Sequence, residues 1–215
     1  MHYTIKNLKY IEDNIKKEYI NLPTIVAVTK NFDQDNIIPL LDYGHQHYGE
    51  NKVQECVQKW KTLKSKFKNV KLHMIGKLQR NKVKECIKYF DYIHSLDSKK
   101  LAKKIHDEQI NQNKKLKIFI QINIGKEFQK SGINLLELDE LISYTKSLKL
   151  DIIGFMCIPP KDYNSALYFE EMIKLKHKYN VSKLSMGMSS DYIEAAKNFS
   201  NFLRIGTSIF GKRNS

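Results

Sequence analysis

The chain has 215 residues, 41% hydrophobic and 28% charged, with only 9 glycines and 4 prolines, a balance that supports a packed core and excludes collagen-like, low-complexity and largely disordered sequences. Its length exceeds one average domain and falls short of two, so a single domain over residues 1–215 is expected. The 37 cations outnumber 23 acids to give +14, yet only Arg80, Arg204 and Arg213 are arginines; lysine dispersed over every segment argues against a specific nucleic-acid partner, because bidentate phosphate and base recognition favours arginine.

The first element is a helix with Leu8, Ile11, Ile15 and Tyr19 along one side. Short runs rich in Ile, Val and Phe then predict strands at 24–29, 46–48, 70–75, 92–96, 117–123, 151–156, 183–186 and 201–205. Between them, apolar spacings of three and four mark amphipathic helices: Val53, Val57, Trp60, Leu63 and Phe67, then Leu135, Leu138, Leu141, Thr145 and Leu148, then Tyr168, Met172, Leu175 and Tyr179. Strands alternating with helices imply a parallel sheet, and eight such units in a chain of this length imply an α/β fold: a closed (β/α)8 TIM-type barrel with an extra N-terminal helix. The alternative, an open doubly wound sheet, lacks a Gly-x-Gly-x-x-Gly after an early strand. No apolar run approaches the roughly 18 residues of a membrane span, so no membrane partner is expected. Cys56, Cys86 and Cys157 form no Cys-x-x-Cys pair; no metal site is expected, and a reducing cytoplasm fits them.

In such a barrel the chemistry belongs at the carboxyl ends of the strands. The first strand delivers Lys30 there; partial desolvation would lower an amine's pKa and raise the fraction able to attack an aldehyde, whereas on its own, in a chain with 34 lysines, the residue reads better as the start of a solvated loop. The last two strands end in Ser185-Met186-Gly187-Met188-Ser189-Ser190-Asp191 and Arg204-Ile205-Gly206-Thr207-Ser208. Both read as phosphate cradles built from glycine turns and hydroxyls, with ordinary helix capping by Ser189 or Ser190 as the alternative. An amine opposite a phosphate cradle suits pyridoxal 5'-phosphate, which carries an aldehyde and a phosphate on one small ring.

Further motifs accompany these: Ala27-Val28-Thr29-Lys30, Gly49-Glu50-Asn51-Lys52-Val53-Gln54-Glu55, His73-Met74-Ile75-Gly76-Lys77-Leu78-Gln79-Arg80-Asn81-Lys82, Ile93-His94-Ser95-Leu96-Asp97-Ser98, Lys130-Ser131-Gly132-Ile133 and Gly154-Phe155-Met156. In this order, over essentially the full length, the chain resembles the pyridoxal phosphate homeostasis protein family (YggS/PROSC-like), whose fold is like the barrel domain of alanine racemase. The resemblance implies that Lys30 forms a Schiff base with the cofactor, that Asn51 and Ile75 border its ring, and that Ser189, Gly206 and Thr207 hold its phosphate. It places Ser185 and Met186 on the same wall and Arg204 opposite the pyridine nitrogen, with His73, Gln79 and Asn81 as supports.

A guanidinium offers only donors, so at that position it favours an unprotonated ring nitrogen and a weaker electron sink. Racemisation would need a second base beside Lys30; in the racemase relatives it comes from an additional β domain and a partner subunit, and this chain is expected to lack that domain. The expectation is a cytoplasmic monomer that buffers and delivers pyridoxal phosphate, with no catalytic residue assigned, and with amino acids and transiently contacted apo-enzymes as partners. The alternatives are an amino-acid racemase and a class I aldolase-like barrel acting through Lys30. His45 and His47 read as surface histidines, Glu50 and Asp191 as candidate acid/base groups with Asp191 reading better as an electrostatic support of the following helix start, Tyr163, Tyr168 and Tyr179 as packing residues, and Cys157 as following the sixth strand and facing the site.

Overall fold

The computed structural model describes residues 1–17, 19, 22–125, 131–160 and 164–211. Lys130 and Tyr163 lie outside them.

The chain runs α1 (Tyr3–Lys16), β1 (Thr24–Val28), α2 (Gln34–Asp42), β2 (His47–Glu50), α3 (Val53–Lys66), β3 (Lys71–Met74), α4 (Val83–Tyr89), β4 (Tyr92–Leu96) and α5 (Lys99–Asn111). It continues β5 (Lys117–Ile122), α6 (Leu138–Ser147), β6 (Ile152–Cys157), α7 (Ser165–Lys178), β7 (Lys183–Ser185), α8 (Tyr192–Lys197), β8 (Phe202–Ile205) and α9 (Thr207–Phe210). The strands pair in sequence order, all parallel, and β8 closes on β1 with Val26 opposite Arg204. The result is the expected closed barrel, preceded by α1, whose Leu8, Ile11 and Ile15 are buried as their spacing predicts. No helix among the described residues is long and apolar enough to cross a membrane.

Side chains alternate across each strand, so the barrel wall sorts them into two cores. Outward residues such as Ile25, Ala27, Tyr48, Leu72, Leu184 and Leu203 pack under the helices. Inward residues Val26, Tyr92, Phe119, Met156 and Phe202 fill the barrel. Carried past the strand ends, the same period of two puts Lys30 in phase with Val26, Asn51 with His47, Ile75 with His73, and Gly206 with Arg204.

Strands β1, β3, β5 and β8 are each shorter than expected by one or two residues, and three further differences bear on the site. The second strand begins at His47 and runs on to Glu50 because pairing with β3 continues from His47 opposite Lys71 to Glu50 opposite Met74, although Gly49 and Glu50 carry little strand propensity. The sixth strand takes in Cys157, whose thiol is buried in the helix-facing core rather than facing the site; burial pushes its pKa up to about 12. The seventh stops at Ser185.

Candidate functional site

At the carboxyl ends of the strands a cavity of about 320 Å³ is lined by Lys30, Asn51, Ile75, Ser189, Arg204, Gly206 and Thr207, together with Val28, Ile158, Met188 and Ser190. Of the nine candidate residues, seven therefore meet in one place. Ser185 is fully buried beneath Arg204, and Met186, the next residue along, points to the opposite side of the wall into the helix-facing core. Met186 continues the alternation one residue past the end of β7, so its side chain leaves the face that Ser185 occupies.

The Lys30 wall is held from behind by a charged network. Thr29 hydrogen-bonds through its hydroxyl to Glu50 Oε1 at 2.7 Å, and its carbonyl accepts from Lys59 Nζ at 2.6 Å. Lys59 also reaches Glu50 Oε1 at 2.9 Å and Glu55 Oε1 at 3.1 Å, while Trp60 Nε1 donates to Glu50 Oε1 at 2.9 Å. On the other side of Lys30, Glu55 Oε1 accepts from the backbone N–H of Asn31 at 2.6 Å, where Asn31 adopts the left-handed φ of 62°. Both peptide neighbours of Lys30 are thus pinned to helix α3. Glu50 is not an acid/base group of the cavity: it faces outward on β2, fully buried, and burial raises its pKa against the opposing pull of Lys59.

Asn51 is fixed by a close backbone approach. A Cβ on Gly76 would lie 2.3 Å from the Asn51 carbonyl oxygen, so only glycine lets the β3 loop pass there.

The Arg204 wall is anchored differently. Its Nη1 donates to Ser185 Oγ at 2.7 Å and its Nη2 to the Cys157 carbonyl at 2.8 Å. Burial works against its charge, but a guanidinium's high ordinary pKa keeps it a cation. Behind Ser185 stands a column of three imidazoles inside the barrel: Ser185 Oγ to His94 Nδ1, His94 Nε2 to His73 Nδ1, and His73 Nε2 to His47 Nδ1, each 2.9 Å. His73 stacks on Tyr92 and His94 on Phe119, and desolvation holds both rings well below the ordinary imidazole pKa.

The two glycine turns are stitched together, since the Ser208 N–H donates to Ser189 Oγ at 3.2 Å. Neither Ser189 nor Ser190 caps α8. Its N-cap is Asp191, whose carboxylate instead accepts from the Met188 N–H at 2.6 Å and so shapes the turn. Gly187 sits at φ 93°, where a Cβ would lie 2.4 Å from Ala195 Cβ.

Sequence reasoning missed several members of the site. Val28 and Ile158 could have been found by continuing the inward phase of their strands, Glu55 closes the motif that begins at Gly49 without any sign of its partner, and Lys59 carried no local signal. His47 is a correction: it is in phase with the barrel interior rather than a surface residue, while His45 Nε2 meets the His47 carbonyl at 2.9 Å. Tyr168 and Tyr179 pack against the core as expected.

Residues 6–214 match the alanine racemase N-terminal domain family. The pyridoxal phosphate homeostasis protein of Escherichia coli strain K12 is 36% identical over 200 residues, spanning 88% of this chain and 86% of that protein. PipY of Synechococcus elongatus PCC7942, solved with PLP bound, superposes with a TM-score of 0.86 at 26% identity over 97% of this chain and all of that one (100%). An alanine racemase of Clostridium difficile 630 shares the fold, with a TM-score of 0.72 at 16% identity, and this chain covers 98% of itself and 58% of the racemase. A barrel of this topology, matched nearly end to end by such relatives, belongs to the pyridoxal phosphate homeostasis protein family, within the larger family of alanine racemase N-terminal domains.

Proposed function

We propose that this protein binds pyridoxal 5'-phosphate reversibly and so buffers and delivers it, without turnover of its own. The observation that carries the reading is the convergence, in one cavity of about 320 Å³, of Lys30 with the hydroxyl-bearing turns at Ser189, Ser190, Gly206 and Thr207. The donor set suits the molecule: one amine for an aldehyde, hydroxyls and a glycine turn for a phosphate, and a donor-only guanidinium for an unprotonated ring nitrogen. When bound, the cofactor supplies an aldehyde that amines capture and release. Lys30 offers the first amine, its peptide neighbours fixed by Lys59 and Glu55. Asn51 and Ile75 would border the ring, and Ser189, Gly206 and Thr207, which line the same cavity, would take the phosphate. The names of the curated relatives and the PLP-bound state of PipY support the same cofactor.

Holding is favoured over racemisation because, among the described lining residues, Lys30 and Arg204 are the ionisable ones. Proton transfer on both faces of a substrate carbon needs a second acid/base group that this lining does not offer. The reading includes a monomeric, cytoplasmic protein forming one domain over residues 1–215, with amino acids and apo-enzymes receiving the cofactor.

The test is a visible absorption spectrum of protein mixed with pyridoxal phosphate, followed by borohydride reduction and peptide mapping. The parent should turn yellow and carry one label at Lys30, and Lys30→Ala should carry none. A label elsewhere, or none in the parent, overturns the proposal. Sustained isomerisation of a free amino acid by the purified protein would support the racemase instead.

A further inference from the structure

Counting donors gives the imidazole column a direction. Arg204 can only donate, so Ser185 Oγ accepts from it, and the remaining hydroxyl proton of Ser185 is left for His94 Nδ1, the other partner of that oxygen. His94 then carries its proton on Nε2 and donates to His73 Nδ1. His73 in turn donates from Nε2 to His47 Nδ1, and His47 keeps its own proton on Nε2. Each ring is neutral and each contact has one donor and one acceptor. The column crosses the barrel from the cavity to its amino-terminal mouth, where His47 is half-buried. His45, Lys71, Asp91 and Lys117 are the titratable and charged groups around His47 there, and Lys117 also lies over the Tyr92 ring. His73 is faced by His45, His47 and His94, and His94 by Arg204.

We propose that Ser185, His94, His73 and His47 are positioning residues for Arg204, a one-way hydrogen-bonded column that couples the hold on the cavity's Arg204 end to the protonation of His47 at the opposite mouth. One solvent proton added to His47 puts N–H on both its nitrogens, so its Nδ1 meets the Nε2–H of His73 donor to donor. The contact is restored only if His73 and His94 each carry their single proton on Nδ1 instead. Ser185 Oγ must then accept from His94 and Arg204 together, while its own hydroxyl proton loses its acceptor in a closed core. The reversed column therefore grips Arg204 less well. By reciprocity, a molecule that engages Arg204 in its anchored position favours neutral His47. The link to cofactor loading rests on the function proposed above; the direction of the column does not.

Two measurements on the full chain test this. Nitrogen-15 histidine spectra of the protein without added cofactor, recorded from about pH 8 down to about pH 5, should show His47, His73 and His94 all protonated on Nε2 at the upper end. His73 and His94 should change tautomer with the midpoint of His47, and in His47→Gln they should not change. Titrations with pyridoxal phosphate over the same range should then show the parent losing about 5-fold or more in affinity on acidification relative to His47→Gln. Nδ1 protonation of His73 or His94 at the upper end, or tautomers indifferent to His47, overturns the column. Identical pH profiles for parent and variant overturn its coupling to the cavity. Failure of pyridoxal phosphate to label Lys30 would strike the cofactor reading alone, because the tautomers are read without it.

Discussion

The two walls of the cavity are supported by opposite kinds of polar chemistry. Behind Lys30, in the layer between barrel and helices, the Lys59 ammonium is shared by the carboxylates of Glu50 and Glu55. Behind Arg204, inside the barrel, a hydroxyl and three imidazoles carry no net charge and rely on matching one donor to one acceptor at each step. Buried charge costs several kcal/mol when its partner is lost, whereas a broken neutral contact costs the desolvation of the groups left behind. The difference teaches that the amine side should fail by unfolding and the guanidinium side by loosening.

The sharpest break is Lys59→Met, which strands Glu50 without a counter-charge and should cost about 3–5 kcal/mol in denaturant unfolding. Its pH dependence follows from the sign of the Glu50 shift. The folded pKa is already raised by burial, and loss of Lys59 raises it further. A carboxyl with a raised folded pKa contributes stability below its unfolded pKa that is lost as pH rises through the folded value. The variant should therefore recover stability on acidification relative to parent; a difference independent of pH would show that Glu50 does not depend on Lys59. Next in size, Ser185→Ala orphans one Arg204 donor and the His94 nitrogen, costing on the order of 1–3 kcal/mol. That cost should stay flat through the neutral range, where both buried imidazoles are uncharged, and pyridoxal phosphate affinity should fall by more than in a neutral surface control. The smallest effect belongs to Glu55→Gln. Glu55 is partly exposed, so weakening its pair with Lys59 should cost under about 1 kcal/mol, and the amide oxygen can still accept from Asn31. A large loss of stability there would erase the distinction between core and rim of the network.

Much of the fold was legible because strand and helix differ in period, and the β1 run ending at Lys30 states its own phase. The turns after β7 and β8 that line the cavity were legible from glycine beside hydroxyl residues. What supports them was not. Lys59 sits on a helix among many lysines, and nothing local says that its ammonium reaches back to the Thr29 carbonyl. The column was hidden for another reason: His47, His73 and His94 are separated by whole strand-helix units, and they meet only when the registers of β2, β3 and β4 are known. Met186 shows the limit of reading motifs as blocks, since its immediate neighbour Ser185 holds Arg204 while its own side chain faces away.

The stitch between Ser208 and Ser189 ties together the turns that follow two separate strands, β7 and β8. Turns already tied to each other have less freedom to lose when a ligand binds between them. Amide exchange of this region should then change little when pyridoxal phosphate is added, as the reversible holding proposed above requires.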